Sequence, residues 1–163
     1  PAESIEALAA FQGVRRRLEV RGTVGGVTVI DDFAHHPTAI ATTIAGLRAR
    51  MQAGSHPGGR LLAVLEPRSN TMRTGTLKAQ LPGSLQDADL VFCYAGGIDW
   101  DAQAALAPLG ERVAVFRDMP ALEAAILAAA RPGDQVLVMS NGGFGGIHGR
   151  LLAGLASREG NGK

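Results

Sequence analysis

The sequence predicts a Rossmann-like α/β domain: a mostly parallel sheet with helices on both faces and an N-terminal β-hairpin. Three observations predict it. Short apolar, β-branched runs alternate with stretches of helical period along most of the chain, and such alternation requires right-handed crossovers between parallel strands. Ahead of that alternation, two extended segments flank the glycine-bearing run Gly22-Thr23-Val24-Gly25-Gly26. The length of 163 residues, 46% of them hydrophobic, suits a single domain over residues 1–163 with one buried core.

The first element is a short helix within residues 1–13: Ile5, Leu8, Ala9 and Phe11 recur at helical spacing and Gly13 supplies the stop. Arg17 to Arg21 and Val27 to Ile30 then read as the two arms of the hairpin. A helix follows from Pro37 to about Met51, where proline suits a first turn whose amide needs no partner. The loop Ala53 to Arg60, with Gly54, Pro57, Gly58 and Gly59, reads as a surface connection. Strands are expected at Leu61–Leu65, Asp89–Tyr94, Arg112–Phe116 and Gln135–Met139. Between and after them lie helices from about Thr74, from Trp100 to Leu106, from Pro120 to Ala130, and from about Gly146. The polar tail from Ser157 to Lys163 is expected to fray.

Charge narrows the partners. A formal charge of +1 comes from 16 basic and 15 acidic side chains spread along the chain, so no basic arm points to nucleic acid or a membrane surface. Cys93 lies inside the apolar run Leu90 to Tyr94, where it packs as a small hydrophobe rather than serving a disulfide or a catalytic thiol. The sequence shows neither a signal peptide nor an apolar stretch of membrane-spanning length, which makes a cytoplasmic address the expectation. A start at Pro1 rather than Met suggests a piece of a longer protein.

Ligands of open α/β sheets bind beyond the carboxyl ends of the strands. Three polar clusters are expected there. The first reads Asp31-Asp32-Phe33-Ala34-His35-His36-Pro37-Thr38 and opens a helix. Helix-mouth amides favour a phosphate, and a carboxylate one turn away can accept from ribose hydroxyls, so a nucleotide site fits. An aspartate capping the turn with one histidine packed on the sheet is the simpler structural alternative. A metal site is a third, weakened because adjacent histidines at such a corner usually point apart. The second cluster, Glu66-Pro67-Arg68-Ser69-Asn70-Thr71-Met72-Arg73, sets two arginines beside amide and hydroxyl groups, a set suited to carboxylates; a solvated loop with a threonine cap is the alternative. The third, Ser140-Asn141-Gly142-Gly143-Phe144-Gly145-Gly146-Ile147-His148-Gly149, lets backbone approach a ligand or turn tightly into the last helix.

Absences weigh as much. The sequence has no G-x-x-x-x-G-K-[ST] phosphate loop, and its two lysines are Lys78 and the final Lys163. It also lacks the G-x-G-x-x-G fingerprint, a G-x-S-x-G elbow, a H-E-x-x-H helix and a C-x-x-C pair, so no independent nucleophile or metallopeptidase centre is visible.

Taken together, Phe11-Gln12-Gly13-Val14-Arg15-Arg16-Arg17-Leu18-Glu19, Asp31 to Ile40, Glu66 to Gly75 and Ser140 to His148 resemble the C-terminal domain of the Mur ligases, specifically the branch that recycles murein tripeptide. The D-D-F-A-H-H-P-T run is similar to that of the alanine-adding branch as well. Ile30 and Met72-Arg73-Thr74 depart from the commoner residues of the pattern. The resemblance implies an ATP-dependent ligase that joins L-Ala-γ-D-Glu-meso-diaminopimelate to UDP-N-acetylmuramate through an acyl phosphate. ATP and Mg2+ would be used by the full-length enzyme, with neither held by this domain alone. Its partners would be the N-terminal and central domains of the same chain and the two substrates, and no catalytic or metal-binding residue would lie in this part. By the same resemblance, Arg17, Asp32, His35 and His36 contact nucleotide, while Arg68, Asn70, Arg73, Asn141, Gly142 and Gly143 line the tripeptide's carboxylates. An alanine-adding ligase domain and a non-catalytic small-ligand module are the alternatives.

Overall fold

The computed structural model describes residues 17–54, 58–67, 75–98, 100–140 and 142–161. The helix expected within residues 1–13 lies outside them. Strands β1 (Glu19–Val24) and β2 (Val27–Asp32) form the expected antiparallel hairpin. Its turn is tighter than the glycine-bearing run suggests, because only Gly25 and Gly26 separate the strands, at φ 61° and 80°. Positive φ at both positions gives a turn whose twist matches that of the strands, and glycine adopts it without strain. Gly22 instead belongs to β1. A Cβ there would lie 3.1 Å from Leu152 Cδ2, so this glycine admits the last helix rather than making the turn.

The alternation then runs as α1 (Pro37–Ala53), β3 (Leu61–Leu65), α2 (Gly75–Ser84), β4 (Leu90–Tyr94), α3 (Ala102–Ala105), β5 (Val113–Phe116), α4 (Met119–Ala129), β6 (Gln135–Met139) and α5 (Ile147–Asn161). Asp101 and Asp118 cap α3 and α4 by accepting from the Ala104 and Ala121 amides at 3.1 and 2.9 Å. The helix expected from Trp100 to Leu106 is a single α turn continued by a 3-10 segment at Ala107–Arg112, where Gly110 takes φ 64°. At the other end, α5 persists to Asn161, well past Ser157, where composition suggested fraying. Leu151 and Leu155 bury its inner face, and the Arg158 guanidinium donates to the carbonyls of Leu127 and Ala130, which holds the last turns against α4.

The six strands order as β1-β2-β6-β3-β4-β5, with β1 antiparallel to β2 and the remaining pairs parallel. Side-chain alternation sends Leu61, Ala63 and Leu65 to one core with α1 and Leu62 and Val64 to a second core with α4 and α5, so both faces are covered as expected. At the amino ends of the strands, Arg60 forks onto the buried Asp134 at 3.1 and 2.7 Å and donates to the Ala129 carbonyl at 2.8 Å. At the carboxyl ends, β6 returns between β2 and β3, with Asp32 and Leu65 both in register with Met139. That return gathers the ends of β2, β6 and β3 side by side.

Candidate functional site

Because consecutive strand residues face opposite ways, Asp31 and Asp32 diverge at the end of β2. Asp32 faces α1. Its Oδ2 accepts from the Leu18 amide at 2.9 Å, and its Oδ1 from the Ala34 amide at 2.8 Å and the Thr43 hydroxyl at 3.1 Å. These bonds occupy three of about four acceptor positions of a carboxylate, leaving room for one outside donor. Asp32 therefore organises the turn, as the simpler structural alternative had it, while still lining the cleft beside it.

That cleft, about 670 Å3, lies between the start of β1, the loop after β2 and the first turns of α1. Arg17, His35, His36 and Arg50 line it together with Asp32 and Phe33. Pro37 occupies the first turn of α1, and no side chain caps it, so the helix presents its amide end to the cleft. Both imidazoles are half-buried rather than packed into the sheet. His35 Nδ1 lies 3.0 Å from the Phe33 carbonyl, which only accepts, so Nδ1 is the donor. The two rings meet edge to face with centroids 5.2 Å apart, and Phe33, 46% exposed, stands edge to face with His35 at 5.4 Å. The cleft thus combines cations, a helix mouth and an aromatic face, which suits an anion carrying a planar group.

The opposite side of the sheet carries the rest of the rim. Ser140, at the end of β6, donates from Oγ to Glu66 Oε1 at 2.6 Å and from its amide to the Asp32 carbonyl at 3.2 Å; its Oγ accepts from the Gly142 amide at 3.0 Å. One serine thereby joins the three clusters. Gly142 and Gly143 lead into a 3-10 turn at Phe144–Gly146, where Phe144 is buried and Gly145 and Gly146 adopt φ 58° and 73°. Arg68, Asn70, Arg73 and Asn141 lie outside the described residues, whereas Pro67, the residue before Arg68, is buried at the end of β3.

Three groups escaped the sequence reading. His148, in the first turn of α5, sets Nε2 2.9 Å from Asp31 Oδ1, and both side chains are buried. Arg21 Nη1 stands 3.9 Å from the other Asp31 oxygen. Period-two alternation along β2 could have separated Asp31 from Asp32, but nothing in the sequence paired Asp31 with a residue 117 positions away. Glu66 was likewise visible only as a neighbour of Arg68. Burial pushes the Cys93 thiol up to about 12, so it stays protonated and chemically quiet. Among the described residues, no three His, Cys, Asp or Glu side chains converge as cation ligands.

Comparison with known proteins follows the same lines. Residues 16–142 match the family model described as Mur ligase, glutamate ligase domain. Over 159 residues, 97% of this chain, the sequence is 47% identical to the UDP-N-acetylmuramate--L-alanyl-gamma-D-glutamyl-meso-2,6-diaminoheptandioate ligase of Escherichia coli K12, of which it covers 34%. A crystallised domain described as coming from a ligase of the same specificity in Haemophilus ducreyi 35000HP is 46% identical with a TM-score of 0.72, covering 86% of this chain and 100% of that one. A murein peptide ligase of Psychrobacter arcticus 273-4 is 38% identical with a TM-score of 0.76, covering 87% of this chain and 30% of its own. The chain therefore spans about a third of the full-length curated relative.

Proposed function

The chain belongs to the Mur ligase family through its glutamate ligase domain, and on that premise we propose that it is the C-terminal domain of an ATP-dependent ligase joining L-alanyl-γ-D-glutamyl-meso-diaminopimelate to UDP-N-acetylmuramate in the cytoplasm, as part of peptidoglycan recycling. One observation carries the reading: the return of β6 between β2 and β3 sets the cleft beside Asp32 next to the strand ends that lead to Arg68 and to Asn141.

In this reading the cleft on the α1 side takes the nucleotide. Arg17 and the open end of α1 face its phosphates, His35 and His36 lie beside it, and the remaining acceptor position of Asp32 receives a ribose hydroxyl. Arg68, Asn70 and Arg73, with the backbone of Asn141, Gly142 and Gly143, hold the carboxylates of the tripeptide. ATP gives its terminal phosphoryl group to the muramoyl carboxylate and leaves as ADP. The alanine amine then attacks the acyl carbon and phosphate departs. This domain contributes orientation to both steps, since the sequence lacks the lysine-bearing phosphate loop that must cradle the transferring group. The family's magnesium finds no ligand cluster among the described residues, so no step is assigned to the metal here.

In the full-length enzyme, Arg68→Ala should raise the tripeptide KM by roughly tenfold or more, as loss of a charge-assisted carboxylate contact does, and leave the ATP KM unchanged. Substrate competition checks the specificity. Tripeptide, and not free alanine, should be consumed; a preference for alanine would assign the chain to the alanine-adding branch instead.

A further inference from the structure

We infer that the buried Asp31–His148 pair is the positioning device for the glycine segment leading into α5, and hence for the peptide-binding half of the site; the inference rests on the function proposed above. Within the segment the Gly146 amide donates to the Gly143 carbonyl, and Arg150 on α5 donates to the Gly145 carbonyl. Gly145 and Gly146 carry no side chains to pack, and glycine has more backbone freedom to lose than any other residue. Phe144 provides one apolar anchor, and the Gly142 amide is tied to Ser140 Oγ at the N-terminal end. At the C-terminal end, beside the buried Ile147, His148 adds a polar link to the end of β2.

His148 is the second residue of α5, and its Nε2–H donates to Asp31 Oδ1 at 2.9 Å from a position 5% exposed to a carboxylate 4% exposed. A bond to an ionised acceptor, out of water, is both strong and directional. Apolar packing by Leu151 and Leu155 already secures the body of α5, but such contacts fix distance better than rotation. The imidazole fixes the rotation of the first turn, and with it where the preceding glycine amides point. Arg21 on β1 also faces the pair, its Nη1 3.9 Å from Asp31 Oδ2.

The alternative is that the pair only stabilises the fold, and substrate-specific kinetics separate the two roles. In the full-length ligase, His148→Leu should raise the tripeptide KM by roughly tenfold or more while the ATP KM stays within about twofold. His148→Gln, whose amide offers a donor near the Nε2 position, should recover most of that loss, and Asp31→Asn should reproduce it. An equal rise in both KM values, or a Gln variant no better than Leu, would overturn the inference. Should His148→Leu fail to fold, the contrast between His148→Gln and Asp31→Asn decides on the same readout. Should the wild type consume no tripeptide, the proposed function fails by itself, and amide exchange then judges the pair: faster exchange in Asp31→Asn confined to Gly142–Gly146 sustains it, and unchanged exchange there overturns it.

Discussion

At the scale of single residues, chemistry was easier to read than partnership. The D-D-F-A-H-H run suggested an anion site at a helix mouth, and Asp32, His35 and His36 line one cleft with Arg17. What the run could not announce was that Asp32 would spend most of its acceptor capacity on Leu18, Ala34 and Thr43, because two of those donors come from segments positioned only by the folded sheet and helix. Asp31 is the sharper instance, since its partner enters from the far end of the chain. Cys93, by contrast, was legible from its apolar neighbours alone, and its burial has a measurable consequence. Its thiol is held from an ordinary 9.0 up to about 12, so the folded state keeps a proton that the unfolded state loses. The stability this gives is complete below pH 9.0 and falls as the pH climbs toward 12. At pH 8 the native chain should therefore resist a thiol reagent for far longer than the same chain in denaturant, as a time course of Cys93 labelling would show.

Among the elements, strands and helices appear close to where periodicity set them, and the differences cluster at glycine. Composition drew one glycine-bearing turn from Gly22 to Gly26, yet those glycines do two jobs: Gly25 and Gly26 reverse the chain, while Gly22 makes room for Leu152. A sequence records that a side chain is missing without recording what fills the space. The turn makes a direct prediction. At Gly26, with φ 80°, an added Cβ would also lie 3.0 Å from Pro132 Cβ, so Gly26→Ala should cost about 1–3 kcal/mol in urea denaturation of the chain. The persistence of α5 to Asn161 has the same origin as the hidden role of Gly22. Polar composition suggested a frayed end, and tertiary bonds from Arg158 to α4 overruled it.

For the whole molecule, alternation of strands and helices gave the layers, while strand order had to come from packing. The insertion of β6 between β2 and β3 leaves no mark in the local pattern, although the rule that ligands gather at carboxyl ends anticipated its result. The amino-terminal rim went unread for the same reason: Arg60 and Asp134 are 74 residues apart. Their fork joins the starts of β3 and β6 to the end of α4, and the partner it gains in Asp134 raises the affinity of Arg60 for its proton. Asp134→Ala should lower the unfolding free energy by about 2–3 kcal/mol, measured by denaturant titration, and in the proposed full-length ligase should leave ATP and tripeptide KM values unchanged because the fork sits at the rim opposite the cleft. A last consequence follows from the divergence of Asp31 and Asp32 at a single strand end. Removing or adding one residue within β2 would exchange the two carboxylates between the compartments above and below the sheet, delivering each to the wrong clientele. The length of this strand should consequently be frozen among descendants of the gene, even where its apolar letters are free to drift, while insertions and deletions accumulate around Gly58.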